Sequence, residues 1–252
     1  MQLELLLRSM KKYVKCPHYT VNVIYYADDY YQQGYDELAK EYEGNFIPEK
    51  KAVSFGMLTK QVLQNCANKF IILLCDDNVF VRPVDLTNHE FVRFRRDPGI
   101  ACLSFRLSPT LNWCYAFNSA MVPPVMSNGE YKWREAPGDF RYPTSLDGHV
   151  YRADELRELV NSLTFNNPNE LEGEMMGVGM QALKIICYPE SRVINVPANR
   201  VQDVAQNRHM RKYPAEYLMQ KFYDGYRISM ENLRGIKNNA CHMELNYILE
   251  EK

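Results

Sequence analysis

The sequence predicts an α/β domain: a mixed, mostly parallel sheet flanked by helices, with a helical C-terminal tail. Strand-like and helix-like segments alternate through the first hundred residues, the order that builds parallel sheets by crossover connections. The run Ile71-Ile72-Leu73-Leu74 is apolar throughout, as in a strand covered on both faces. It stops at Cys75-Asp76-Asp77-Asn78, and two adjacent carboxylates at a strand end repel unless a cation neutralises them.

Taken in order, Leu3, Leu6, Leu7, Met10 and Val14 recur at helical spacing, so residues 2–14 form an amphipathic helix with no capping residue before it. Residues 21–26 are a strand, and helices over 32–43 and 57–67 lead to the acidic-ended strand 70–75. Helix 87–96 feeds a strand at 100–107. Residues 108–147 carry Pro109, Pro123, Pro124, Pro137 and Pro143 among many aromatics, which reads as a functional loop or as a surface excursion packed by its own rings. Helices over 153–163 and 171–177, strands at 185–188 and 192–196, and helical segments at 214–223 and 229–235 complete the order. No repeat, low-complexity tract or linker divides residues 1–252, so one domain is expected, with 200–252 as its tail.

The bulk numbers narrow the partners. Hydrophobic residues make up 46% and charged residues 24%, as in an ordinary globular chain. Lys+Arg 30 against Asp+Glu 31 leaves a net charge of -1, so no global field points to nucleic acid. The seven cysteines are scattered without a CxxC pair, which predicts reduced thiols, a cytoplasmic setting and no zinc site. No segment approaches the roughly 18 apolar residues of a membrane-crossing helix.

Four constellations are candidates for chemistry. Asp76, Asp77 and Asn78 present hard oxygens at a strand end, where open sheets bind ligands; such donors suit Mg²⁺ or Mn²⁺, which in turn can hold a diphosphate. The competing reading is a carboxylate pair that caps the next turn. In Asp147-Gly148-His149, Asp147 is a candidate general base and His149 a candidate contact for metal or diphosphate; alternatively this is an Asp-Gly turn with the histidine packed inside. In Asn167-Pro168-Asn169-Glu170-Leu171-Glu172, Asn169 and Glu172 have capping-box spacing, while the sharper reading gives Glu172 to an acceptor. In Asn199-Arg200-Val201-Gln202 the planar fork of Arg200 suits a phosphate; Asn199 and Gln202 are expected to hold loop backbone. Arg106, at its strand end, is a second candidate for the diphosphate or for Asp76 and Asp77. Cys16-Pro17-His18 and Cys241-His242 lack a second pair at zinc spacing and are set aside. Glycine-rich phosphate loops and a GxSxG elbow are absent, which excludes the commonest P-loop, dinucleotide-binding and α/β-hydrolase readings.

With these segments in place, the chain resembles glycosyltransferases of the GT-A fold, most of all the small bacterial and large-virus enzymes that act on surface glycans. The resemblance rests on Leu73–Phe80 in the place of the DXD element, on Ser104-Phe105-Arg106-Leu107, Ser145–His149, Asn167–Glu172 and Asn199–Gln202, in matching order. It implies a Rossmann-like GT-A sheet and a UDP-, GDP- or dTDP-sugar donor bound through Mn²⁺ or Mg²⁺ at Asp76, Asp77 and Asn78. It also implies a glycan or lipid-linked acceptor, an inverting reaction with Asp147 as base, and a place in the cytoplasm or at the inner membrane face. Trp113, Trp133 and Tyr142 become candidates to stack on sugar faces. Similar enzymes start with a strand and an Asn-Arg-Pro-like loop before the helix found here at 2–14, so a first strand carrying part of the donor site is expected to be missing from this sequence. A nucleotidyltransferase of similar architecture and an inactive glycan- or nucleotide-binding subunit are the rival readings.

Overall fold

The computed structural model describes residues 1–199 and 208–252. In chain order the elements begin with α1 (Gln2–Tyr13), β1 (Val14–Lys15), β2 (Asn22–Tyr25), α2 (Asp29–Glu41), β3 (Asn45–Pro48), α3 (Phe55–Asn65) and β4 (Phe70–Leu73). There follow β5 (Asn78–Phe80), β6 (Val84–Asp85), α4 (His89–Arg96), β7 (Ile100–Ser104), β8 (Trp113–Cys114), β9 (Ser119–Ala120) and β10 (Glu130–Lys132). The chain continues through β11 (His149–Arg152), α5 (Ala153–Asn161), α6 (Pro168–Val178), β12 (Lys184–Cys187) and β13 (Val193–Asn195). It ends with α7 (Ala215–Tyr223), β14 (Tyr226–Ile228) and β15 (Leu249–Glu251). Helix starts follow local chemistry: Asp28, Ser54, Asn88 and Asn167 each cap the helix that follows by accepting backbone N–H groups.

The α/β class holds, and the main sheet is mixed. Its order is β10-β12-β7-β11-β4, and β12–β7 is its parallel pairing; β11 runs antiparallel to both β4 and β7, and β10 antiparallel to β12. The expectation of a mostly parallel sheet is therefore corrected for these five strands. The reversed strands come from Glu130–Lys132 and His149–Arg152, too short and too polar to signal themselves in the sequence. β2 and β3 form a separate parallel pair. The tail is also less helical than expected: residues 231–233 make one 3-10 turn, and β14 pairs antiparallel with β15.

Residues alternate across the sheet. Leu103, Val150 and Ile186 join one apolar cluster with α1 and α4, while Cys102, Tyr151, Ile185 and Cys187 join a second with α5 and α6. This double coverage explains the continuous apolar run of β7, while the edge strand β4 is half-buried.

Helix α1 anchors the strand behind the acidic turn. It buries Leu5, Leu6, Leu7, Met10 and Tyr13 and packs on β5. Its Ser9 hydroxyl donates to Leu6 O at 2.8 Å and accepts Phe80 N–H at 3.0 Å, so a buried amide of β5 depends on one side chain. The buried Glu4 carboxylate is matched by Arg8 at 2.8 Å and by the Tyr42 hydroxyl at 2.9 Å. Ser9→Ala leaves the Phe80 amide without its acceptor and is expected to lower stability by about 1–3 kcal/mol in urea unfolding. An unchanged midpoint would show that this contact does not anchor β5.

Candidate active site

Strand register assembles the site. Leu73 of β4 and Ser104 of β7 both stand opposite His149 of β11. The residues just beyond them, Asp76 and Asp77, Arg106, and Asp147 on the approach to β11, therefore share one end of the sheet. After β4 the chain turns tightly, with Cys75 N–H donating to Asn78 Oδ1 at 3.0 Å and Asn78 N–H to Cys75 O at 3.1 Å. β13 pairs with β5 and sets Asn195 opposite Asn78.

Asp147 is the most heavily bonded carboxylate of this end. Asn78 Nδ2 and Asn195 Nδ2 donate to its Oδ1 at 3.1 and 3.2 Å, and Arg106 donates to its Oδ2 at 3.3 Å. His242 Nε2 lies 3.8 Å from the same Oδ2, with its ring stacked on Tyr115. The Asn195 amide also donates to Asp77 Oδ1 at 2.8 Å, so one side chain ties two carboxylates together. Arg106 reaches further, to Ser145 Oγ at 2.6 Å and Asp139 Oδ1 at 2.9 Å.

These contacts separate the acids electrostatically. Burial opposes charge on Asp147, but Arg106 foremost, with His242 and the Asn78 amide, outweighs it and holds Asp147 below its ordinary carboxylate range. Burial, then repulsion from Asp147 and Asp76, raises Asp77 well above that range. Burial likewise raises Asp76. Burial, then Arg106, lowers His242.

Glu172 joins from α6. Asn167 caps that helix by accepting Glu170 N–H at 2.9 Å, and Glu170 accepts Asn166 N–H at 2.7 Å, so the capping box uses Glu170 rather than the expected Asn169–Glu172 pair. Glu172 is left to face the cleft, where its Oε1 accepts Leu146 N–H at 3.0 Å. Burial, then the Asp147 charge, pushes its carboxyl up to about 7.

The cleft above these groups has a volume of about 1130 Å³. Asp76, Asp77, Asp147 and Glu172 line it together with Arg106 and Tyr142, and Tyr26, Tyr31 and Tyr35 form part of its wall. Tyr35 is stacked on Tyr25 with centroids 3.9 Å apart, which stiffens that wall. Among the described residues no group of three or more His, Cys, Asp or Glu side chains is placed to hold a metal ion.

Other expectations fall elsewhere. Asn78 is fully buried beneath the acids and holds Asp147 through its amide. His149 does not line the cleft: it is 1% exposed within β11, with Nε2 3.1 Å from Ser104 Oγ. Burial, then Arg106, lowers it to about 3. The reason is Gly148, whose φ of +79° reverses the chain so that Asp147 faces the cleft while His149 enters the sheet. Trp133 is buried in a 3-10 turn and donates Nε1–H to Ala182 O at 2.8 Å, so it stacks on no ligand in the cleft. Trp113 lies in the β8–β9 hairpin, outside the cleft lining. Arg106 is committed to Asp139, Ser145 and Asp147 rather than to Asp76 or Asp77. Arg200 and Gln202 lie outside the described residues, and Asn199 donates to Gln2 Oε1 and Tyr213 O at 3.0 Å each, a backbone-holding role.

Sequence reasoning missed Asn195, Asp139 and His242. The Cys241-His242 pair was visible, but zinc spacing was the wrong test, because His242 meets a carboxylate and a tyrosine instead. Asn195 showed only as the polar end of an apolar strand.

No protein-family model matches this chain, and no curated protein is significantly similar to it.

The Glu172 shift carries a sign for stability. Its folded pKa of about 7 exceeds the ordinary 4.5, so the folded state holds a proton that the unfolded chain releases in between. Stability relative to Glu172→Gln is expected to fall as pH rises through that window and then level off. Parallel urea midpoints for the two proteins that keep a constant gap would refute it.

Proposed function

We propose that the chain is a metal-dependent glycosyltransferase of the GT-A type, moving a sugar from a nucleoside diphosphate to a hydroxyl of a glycan or lipid-linked acceptor with inversion. The observation that carries this reading is the gathering of Asp76, Asp77 and Asp147 at one sheet end, on the floor of a roomy cleft with tyrosines in its wall. Such a floor is costly to keep charged, and a divalent cation relieves that cost.

The donor set suits Mn²⁺ or Mg²⁺. Two adjacent carboxylates that line the cleft supply hard oxygens, and ions of this kind are commonly held by one or two carboxylates with substrate phosphates completing the shell. Asp76 and Asp77 would hold the ion, which when bound supplies positive charge beside the leaving diphosphate. The protein's own groups do the positioning. Asn195 keeps Asp77 and Asp147 in fixed relation, and Arg106 keeps Asp147 ionised, presenting a negative charge to the positive charge that develops at the anomeric carbon. Tyr26, Tyr31 and Tyr35 offer ring faces to a nucleobase, and Tyr142 offers one to a sugar.

A panel of UDP-, GDP- and dTDP-sugars, assayed with Mn²⁺ and with chelator, tests the reading. Turnover of one donor is expected to vanish with chelator and return with metal. Asp77→Asn is expected to lower it by about 100-fold or more, the equivalent of about 3 kcal/mol at the transition state. Turnover indifferent to chelator and to Asp77→Asn would reject it.

A further inference from the structure

We infer that Glu172, rather than Asp147, is the carboxylate that takes the proton from the attacking hydroxyl, and that Asp147 is a positioning residue. The inference rests on the transferase reading and concerns its chemistry at the same cleft.

Hydrogen-bond capacity separates the two groups. An ionised carboxylate offers about four lone-pair sites. At Asp147 three are taken, by two amide donors on Oδ1 and by Arg106 on Oδ2, and His242 Nε2 stands 3.8 Å from the same Oδ2. An incoming hydroxyl would have to crowd in beside Arg106 and His242 at Oδ2, against the bonds that hold β5, β13 and the 145–147 turn together. Glu172 accepts Leu146 N–H at Oε1, with the Ser145 hydroxyl close beside it, and lines the cleft with acceptor capacity to spare. Ser145 explains the link: its Oγ accepts from Arg106 at 2.6 Å and from Asp147 N–H at 3.1 Å, so its own proton is free for Glu172. One network thereby fixes Asp147 and orients Glu172.

Basicity follows the same division. The charged and titratable groups facing Glu172 are Asp147 and Tyr142 from the preceding segment, Arg106 after β7, Cys75 after β4, and Tyr151 of β11. Burial and Asp147 together raise Glu172 to about 7, near the value that serves a general base at neutral pH. Asp147, held low by Arg106, is a weaker base.

The step balances without further reactants. The acceptor oxygen bonds to the anomeric carbon while its proton passes to Glu172. The bond from that carbon to the diphosphate breaks, and its electron pair leaves on the phosphate oxygen. Water can replace the acceptor, which gives a usable assay.

The test is hydrolysis of the sugar-nucleotide panel with Mn²⁺ from mildly acidic to mildly alkaline pH, with donor affinity measured separately by calorimetry. Native kcat/KM is expected to rise through one ionisation near 7. Glu172→Gln retains an acceptor for Leu146 N–H; it is expected to lower kcat by about 10²–10⁴-fold, abolish the acidic limb and leave donor Kd within about twofold. Glu172→Asp should restore part of the rate together with the limb. Asp147→Asn should lower the rate yet retain the limb. Near-native hydrolysis by Glu172→Gln, or loss of the limb in Asp147→Asn alone, would overturn the inference and leave the transferase reading standing. Absence of donor hydrolysis by the native protein would instead overturn that reading, and the inference with it.

Discussion

Much of this molecule depends on one amide. Asn195 Nδ2 donates to Asp77 at 2.8 Å and to Asp147 at 3.2 Å, joining two carboxylates that would otherwise push apart. Its own backbone is pinned from the far end of the chain, since Asn195 N–H donates to Cys241 O and Asn195 O accepts from Met243 N–H, each at 2.9 Å. Strand pairing with β5 sets Asn78 beside it, and Asn78 adds a second amide to Asp147. Donor-rich, uncharged side chains hold acids together without cancelling their charge, so the charge stays available for a ligand.

The same geometry divides labour among acids of one chemical type. Asp147 is bonded to a guanidinium and stays ionised, whereas Asp77 shares its donor and is destabilised in its charged form by burial and by its neighbours. Glu172 stands apart on a helix, inside the field of Asp147 but with no direct bond to it among the described residues. Pairs of titratable groups whose surroundings drive them apart are how acid and base roles are assigned within one cavity.

Much of the frame was legible beforehand. The apolar run at 100–103 had to be covered on both faces, and it is, whereas the run at 71–74 forms the edge strand β4 and is half-buried. The acidic turn after β4 and the helices at 2–13, 29–41, 55–65 and 153–161 fall within a few residues of expectation. What escaped was short or conditional. β10 and β11 are three and four residues long, and their direction, which makes the sheet mixed, is set by partners distant in sequence. His149 looked like a ligand because it follows Asp147 and Gly148, yet a positive φ at that glycine sends the two side chains to different environments.

The sequence by itself determined which acids, amides and apolar runs exist and which of them end a strand. Tertiary structure alone decided which carboxylate is clamped, which is left free, and which histidine meets them. Local pattern governs helices because their hydrogen bonds join residues near in sequence, and it marks strands only through the apolar runs that their burial demands. A side chain's charge state depends on burial and on neighbours such as Arg106, Asn195 and His242, which only the folded chain brings within reach of Asp147.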